Sequence, residues 1–282
     1  MTEVQGLVDH LFRHSAGQMV ATLTRVFGSE NLALAEEVVQ EALVSALQQW
    51  SLGGIPANPQ AWLFQVARNR ALDSLRRDTN LRGKENEIVA AFRDRDESDE
   101  PRFAHELRDD QLRMMLMCCH PAIPRESRIA LTLKTVGGFG VDEIARAFLT
   151  KREAIAQRIV RAKRLIRDEH IPIEFPSRAE LPQRIDSLLE VIYLLFNEGY
   201  AAISGEDLIR TDLCAEAIRL GRQLVDHPAT SVPEAKALLA LMLLQASRTP
   251  ARVDAHGELI TLEEQDRASW DQAMRDEGLR MF

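Results

Sequence analysis

Apolar residues recur at helical spacing along almost the whole chain, and no run of alternating apolar and polar residues bounded by turn signals interrupts them. A chain patterned in this way has to bury its apolar stripes by packing helix on helix, which makes an all-α protein the expected fold. At 282 residues it is too long for one small core, so two or three domains are expected.

Breaks in the pattern place the domain boundaries. A first block, 1–82, contains helices near 4–27 and 32–50, and a third opened by Asn58 as N-cap with Pro59 at the first helical position. The stretch 51–57, SLGGIPA, is the loop before it. Residues 83–105 are polar, acidic and poor in large apolar groups, and read as a flexible linker. A second helical block covers 106–170. HIPIEFPSRAELP, 170–182, holds three prolines and marks another boundary, since proline lacks a donor and disfavours helix just before it. The last block, 176–282, has helical stretches near 183–198, 206–226, 232–247 and 262–279, of lengths that suit stacked helix pairs.

The net charge of −8 hides a block pattern. Residues 1–175 carry 24 basic and 25 acidic side chains, whereas 176–282 carry 11 and 18. Within the first part, 85–110 has ten acids against four bases, which leaves its flanks basic. Three cysteines, two of them adjacent (Cys118, Cys119) and one distant (Cys214), do not make a disulfide framework. No charged-then-apolar signal segment opens the sequence, and no apolar run approaches the roughly 20 residues of a membrane span. A cytoplasmic protein without a membrane partner is expected. No P-loop, nucleophile elbow, paired catalytic carboxylates or His-Glu metal motif occurs, so neither an enzyme nor a cofactor is expected. CCHPAI, 118–123, lacks a second ligand pair at metal spacing and reads as buried small side chains rather than a metal site.

The basic charge peaks in FLTKREAIAQRIVRAKRLIR, 148–167, with seven basic residues and one acid. At 100° per residue Ile155, Ile159, Ala162 and Ile166 share one side, while Gln157, Val160, Arg161 and Arg164 fall opposite. Thr150 and Glu153 have capping-box spacing, which starts the helix at about Lys151. With the short helix VDEIARAF just upstream and a tight LT connection, this spells helix-turn-helix, whose second helix enters the major groove. The plainer alternative is a solvated basic face.

In NPQAWLFQVARNRALDSLRR, 58–77, Leu63, Phe64, Ala67, Ala71 and Leu75 form the buried side. Trp62, Asn69, Asp73 and Arg76 align on another stripe, where a ring beside amide and guanidinium groups suits an unstacked base. Trp62 serves equally well as core at a domain corner. In 33–50, Ala35, Val39, Ala42, Ala46 and Trp50 are inward, and Glu37, Gln40 and Glu41 face out, either simply solvated or docked on a partner.

AEEVVQEALVSALQQW, then PQAWLFQVARNRALDSLRR, an acidic linker, and ALTLKTVGGFGVDEIARAFLTKREAIAQRIVRAKRLIR together resemble the bacterial extracytoplasmic-function sigma factors of the sigma-70 family over residues 1–170. IYLLFNEGYAAISG, LCAEAIRLGRQL and ALLALMLL extend the resemblance to the subgroup with a C-terminal extension similar to tetratricopeptide repeats, although this chain ends sooner than that subgroup does. The resemblance implies that Glu37, Gln40 and Glu41 contact core RNA polymerase. It implies that the 51–58 loop with Trp62, Asn69, Asp73 and Arg76 melts and reads the −10 promoter element. It also implies that Gln157, Val160, Arg161 and Arg164, flanked by Arg152 and Arg158, read the −35 element. The acidic extension is expected to contact the sigma domains and restrain DNA binding. A stand-alone helix-turn-helix regulator and a helical scaffold are the rival classes, and neither requires the Trp62–Arg76 stripe.

Overall fold

The computed structural model describes residues 3–77, 100–200, 211–252, 254 and 258–281. Among them are eleven α-helices, a few 3-10 turns and no β-strand, as the all-helical periodicity requires. Two compact units divide the chain: residues 1–146 with 150–184, and residues 185–282 with 147–149. No helix among the described residues is long and apolar enough to cross a membrane.

In the first unit α1 (Glu3–Phe27) turns through Gly28 into a 3-10 turn, Ser29–Asn31, and then α2 (Leu32–Gly53). Gly28 has φ 92°, a left-handed backbone that favours glycine, and Asn31 Nδ2 donates to Phe27 O at 2.7 Å to close the corner. Helix α3 (Pro59–Arg77) starts where Asn58 was expected to cap it: Asn58 Oδ1 accepts from Ala61 N–H at 2.9 Å. α1 packs on α2 and α2 on α3, and the inward positions read from spacing on α2 and α3 are all buried.

Helix α4 (Glu100–Cys118) begins inside the stretch expected as linker, with Pro101 in its first turn, where a missing N–H costs nothing. The rest of that linker, 78–99, lies outside the described residues. After α4 come α5 (Arg125–Thr135), α6 (Val141–Ala147) and α7 (Arg152–Asp168), with α5 packed on α7. Cys118 and Cys119 are buried in this core, and desolvation pushes the Cys118 thiol well above its ordinary range. The first unit continues to Arg184, past the boundary expected near 176: this buried guanidinium donates to Leu116 O at 3.1 Å.

α4 belongs by sequence to the second helical block, yet it packs against α1 of the first. Between them Asp110, only 2% exposed, accepts from Thr22 Oγ1 at 2.9 Å and lies 3.1 Å from Arg25 Nε. Gln111, also buried, donates to Val136 O at 3.4 Å. Both helical blocks thus share one core.

Helix α8 (Leu181–Tyr200) enters the second unit at Ile185 and is followed there by α9 (Thr211–Asp226), α10 (Pro233–Ala246) and α11 (Gln272–Leu279). α10 packs between α9 and α11, and Arg222 on α9 forks onto Glu277 on α11 at 2.8 and 2.6 Å. Residues 206–210 of the stretch expected to be helical lie outside the described residues. The helix expected over 262–279 is instead α11 preceded by turns. Asp266 accepts from Ala268 N–H at 3.0 Å and Asp271 from Met274 N–H at 2.9 Å, so two aspartates stop and restart the backbone where a continuous helix was expected.

Asp110→Ala leaves the buried Thr22 hydroxyl without its acceptor. A loss of about 1–3 kcal/mol is expected in chemical denaturation of the full chain, where Asp266→Ala on the surface loses far less.

Candidate nucleic-acid interface

The basic helix is positioned by two helix ends of one kind. α6 closes with Leu149 in the left-handed region, φ 48°, and Thr150 N–H reaching Ala145 O at 2.9 Å. α7 closes with His170 at φ 51° and Ile171 N–H on Ile166 O at 3.0 Å. Both are Schellman ends built without glycine. The first makes the tight turn between α6 and α7 that completes the helix-turn-helix. At the start of α6, Glu143 reaches back to accept from Gly140 N–H at 2.7 Å, half of a capping box in which glycine replaces the hydroxyl residue.

At the start of α7 the expected cap is corrected. The N-cap is Lys151, whose side chain makes no capping bond, and the helix begins at Arg152. Thr150 is committed one residue earlier to closing α6, so Thr150 and Glu153 do not form a capping box here.

The division of α7 follows its periodicity. Ile155, Ile159, Ala162 and Ile166 are buried, while Gln157, Val160, Arg161 and Arg164 are exposed on the opposite side. Val160 is 65% exposed, an apolar group held in water among cations. Arg152 pairs with Asp142 at 3.0 Å, Arg158 with Glu126 at 2.6 Å, and Arg164 with Asp168 at 3.2 Å. Hydrogen bonds from Arg167 and then Arg164 hold the Asp168 carboxyl below its usual range. Solvent-screened pairs of this kind are weak, so an incoming phosphate can replace the carboxylate at little cost. Arg161 has no carboxylate partner among the described residues and projects from the middle of the face.

The second set is less uniform. Asn69, Asp73 and Arg76 are exposed on α3, with Asp73 and Arg76 3.4 Å apart. Trp62 is half-buried and meets the buried Trp50 edge-on, ring centroids 5.3 Å apart at 63°. It therefore serves partly as the corner core residue that spacing alone allowed. Glu37, Gln40 and Glu41 are exposed on α2, but Glu41 is held by Arg70 of α3, whose second nitrogen donates to Ser45 Oγ at 2.7 Å.

Spacing missed Glu36 and Lys163. Glu36 on α2 is 14% exposed in its side chain and pairs with Lys163 of α7. It also accepts from Thr135 Oγ1 at 3.1 Å. Each sits beside a buried position, Ala35 and Ala162, at the edge of its helix's apolar stripe, which is the one signal the sequence held.

Comparison with known proteins agrees with this geometry. Residues 11–80 match sigma-70 region 2, residues 113–166 match sigma-70 region 4, and residues 184–282 match DUF6596, a family of unknown function. The chain is 42% identical over 281 residues to an uncharacterised protein of Rhizobium meliloti, covering 98% of this chain and 65% of that one. It is 25% identical to the ECF RNA polymerase sigma factor SigE of Mycolicibacterium smegmatis over 57% of this chain and 60% of that protein. It is 26% identical to the probable RNA polymerase sigma factor RfaY of Xanthomonas campestris over 55% of this chain and 38% of that protein. The chain thus spans less than two thirds of the length of each of these relatives. No solved structure matches. Two helical domains in this order, the second a helix-turn-helix, match regions 2 and 4 of the sigma-70 family. The relatives named as sigma factors are similar to it over little more than half of this chain, and the C-terminal extension matches the family of unknown function.

The two sides of α7 should separate in stability measurements. Arg161→Ala and Gln157→Ala should stay within about 0.5 kcal/mol of the parent in denaturant unfolding, whereas Ile159→Ala should lose about 2–5 kcal/mol.

Proposed function

We propose that this protein lends promoter recognition to core RNA polymerase, reading the −35 element with α7 and the unpaired −10 element with α3 and the loop before it, with no catalytic chemistry of its own. The observation that carries this reading is the exposed face of α7, Gln157, Val160, Arg161 and Arg164, set over a wholly apolar buried side. Amide and guanidinium groups hydrogen-bond base edges in the major groove, and Val160 offers an apolar surface for a thymine methyl. Arg152 and Arg158 at the flanks supply phosphate contacts that fix the register. On α3 the half-exposed Trp62 offers a ring for stacking and Asn69 an amide for a splayed base. Glu37 and Gln40 present an acidic, polar α2 surface suited to docking on the polymerase, while Glu41 acts through its bond to Arg70.

Run-off transcription with core polymerase tests the reading. Full chain should confer promoter-selective initiation, and Arg161→Ala and Asn69→Ala should each lower it by about tenfold, the loss of a base contact of 1–3 kcal/mol. No gain of selectivity with the parent chain overturns it. Tight operator binding by the pure protein, insensitive to Asn69→Ala, identifies the stand-alone regulator instead.

The C-terminal extension acts, in this reading, as a restraint on DNA binding, because its excess of acid competes with phosphate for basic side chains. Truncation should follow Arg184 rather than residue 176, so that the bond to Leu116 O is kept. Removal of 185–282 should then raise promoter binding or transcription, and unchanged behaviour in both assays excludes the restraint.

A further inference from the structure

We propose that a cleft in the first unit, at the corner where α1 turns into α2, binds a small zwitterion of the amino-acid or short-peptide class, with a carboxylate and an ammonium on one apolar body. The inference is independent of promoter recognition and rests on how charge is distributed over the walls of the cleft.

The cleft is partly open and holds about 590 Å³, within the range of about 300–1,000 Å³ usual for small-molecule sites. Three segments wall it: the end of α1 with the corner after it, Arg113 on α4, and the chain that leaves α7 at His170. Val26, Pro172 and Ile173 give it an apolar lining. Arg25, Arg113, Glu30 and Glu174 give it charge of both signs.

The two cations are held in place but incompletely matched. Arg25, its side chain 42% exposed, rests on the buried Asp110 with Nε 3.1 Å away, and pairs with no other acid among the described residues. Arg113 stands 4.0 Å from the same carboxylate and reaches Asp109 only at 3.5 Å. Its buried Nε makes no hydrogen bond among the described residues. Two guanidiniums thus share one buried carboxylate that the Thr22 hydroxyl already engages. Buried donors are seldom left in this state, and a planar guanidinium fork takes a second carboxylate readily. The Phe175 ring, its centroid 4.6 Å from the Arg113 guanidinium carbon, keeps that fork in position.

The two acids are as open as the cations. Glu30 and Glu174 are exposed, and neither pairs with a cation among the described residues. The Glu30 carboxylate folds back over Gly28, where a Cβ would stand 2.5 Å from Oε2. Cations and acids that line one cleft without neutralising each other suit a ligand that carries both charges. Its carboxylate meets Arg25 and Arg113, its ammonium donates to Glu30 and Glu174, and its apolar part rests on Val26, Pro172 and Ile173. His170 has Nδ1 3.2 Å from Asp168 O; in the tautomer that donates there, Nε2 accepts from a peptide N–H. A phosphate ester or a nucleic-acid strand fits less well, because it sets further negative charge beside Glu30, Glu174, Asp109 and Asp110. The contacts of Asp110 with Thr22 and Arg25 already fix α1 against α4, so little ordering is left for binding to bear.

Calorimetric titration of the full chain with leucyl-leucine, a dipeptide with both termini free, tests the assignment. One molecule should bind per chain. N-acetyl-leucyl-leucine lacks the ammonium and leucyl-leucinamide lacks the carboxylate, and each should bind about tenfold more weakly. Glu30→Gln combined with Glu174→Gln keeps the shape of the walls and should weaken leucyl-leucine about tenfold while leaving the N-acetyl form unchanged. Arg113→Gln should weaken both peptides. The two glutamates are exposed and unpaired among the described residues, so their double variant keeps the parent fold even if Arg113→Gln does not. No binding of leucyl-leucine, equal binding of all three peptides, or no effect of the double glutamine variant overturns the assignment. Tighter binding of ribose 5-phosphate, or of a single-stranded oligonucleotide whose binding Arg113→Gln abolishes, also overturns it and gives the cleft to phosphate.

Discussion

The first unit depends on Asp110. A carboxylate taken out of water loses hydration worth several kcal/mol and persists only if neighbours supply hydrogen bonds and opposite charge. Here they come from α1, as the Thr22 hydroxyl and the Arg25 guanidinium. α4 is thereby bound to the first helical block although it leads into the second, and Gln111 beside it carries the tie onward to Val136. The Gly17 approach to Val136 and the contacts of Glu36 with Thr135 and Lys163 join the same two blocks.

Two kinds of electrostatics operate on α7. On the outer face, pairs with Asp142, Glu126 and Asp168 hold arginines in place on the surface without committing them, since screened pairs cost little to exchange. On the flank toward α2, Lys163 and Glu36 are mostly withdrawn from solvent, where screening is weaker and separation leaves two charges seeking water. One helix thus offers replaceable charge to a ligand and a firmer charge to its own chain. The net charge of −8 records neither, because it averages over blocks with opposite tasks.

Much of the site was legible because amphipathic helices encode their own inside. The buried sides of α2, α3 and α7 follow directly from 100° periodicity, and Asn58–Pro59 fixed the start of α3. Errors came where one residue had two possible local partners. Thr150 closes α6 instead of capping α7, and Asp266 and Asp271 cap short turns within a stretch that pattern alone joins into a single helix. Trp62 shows a third case: spacing put it on an open stripe, and Trp50, twelve residues earlier on another helix, packs against it.

The sequence alone determined the all-helical class, the helix-turn-helix, and which side of α7 faces out, because each depends on interactions within about one turn of helix or on a stripe that must be buried somewhere. Tertiary structure alone decided that the two helical blocks share a core, that Glu36 faces Lys163, and that Gly17 must lack a side chain. Those contacts join residues 88 to 127 positions apart in the case of Thr22 with Asp110 and Glu36 with Lys163. A local pattern says that a charge sits at the edge of a buried stripe; only the packing of distant helices says what that charge meets.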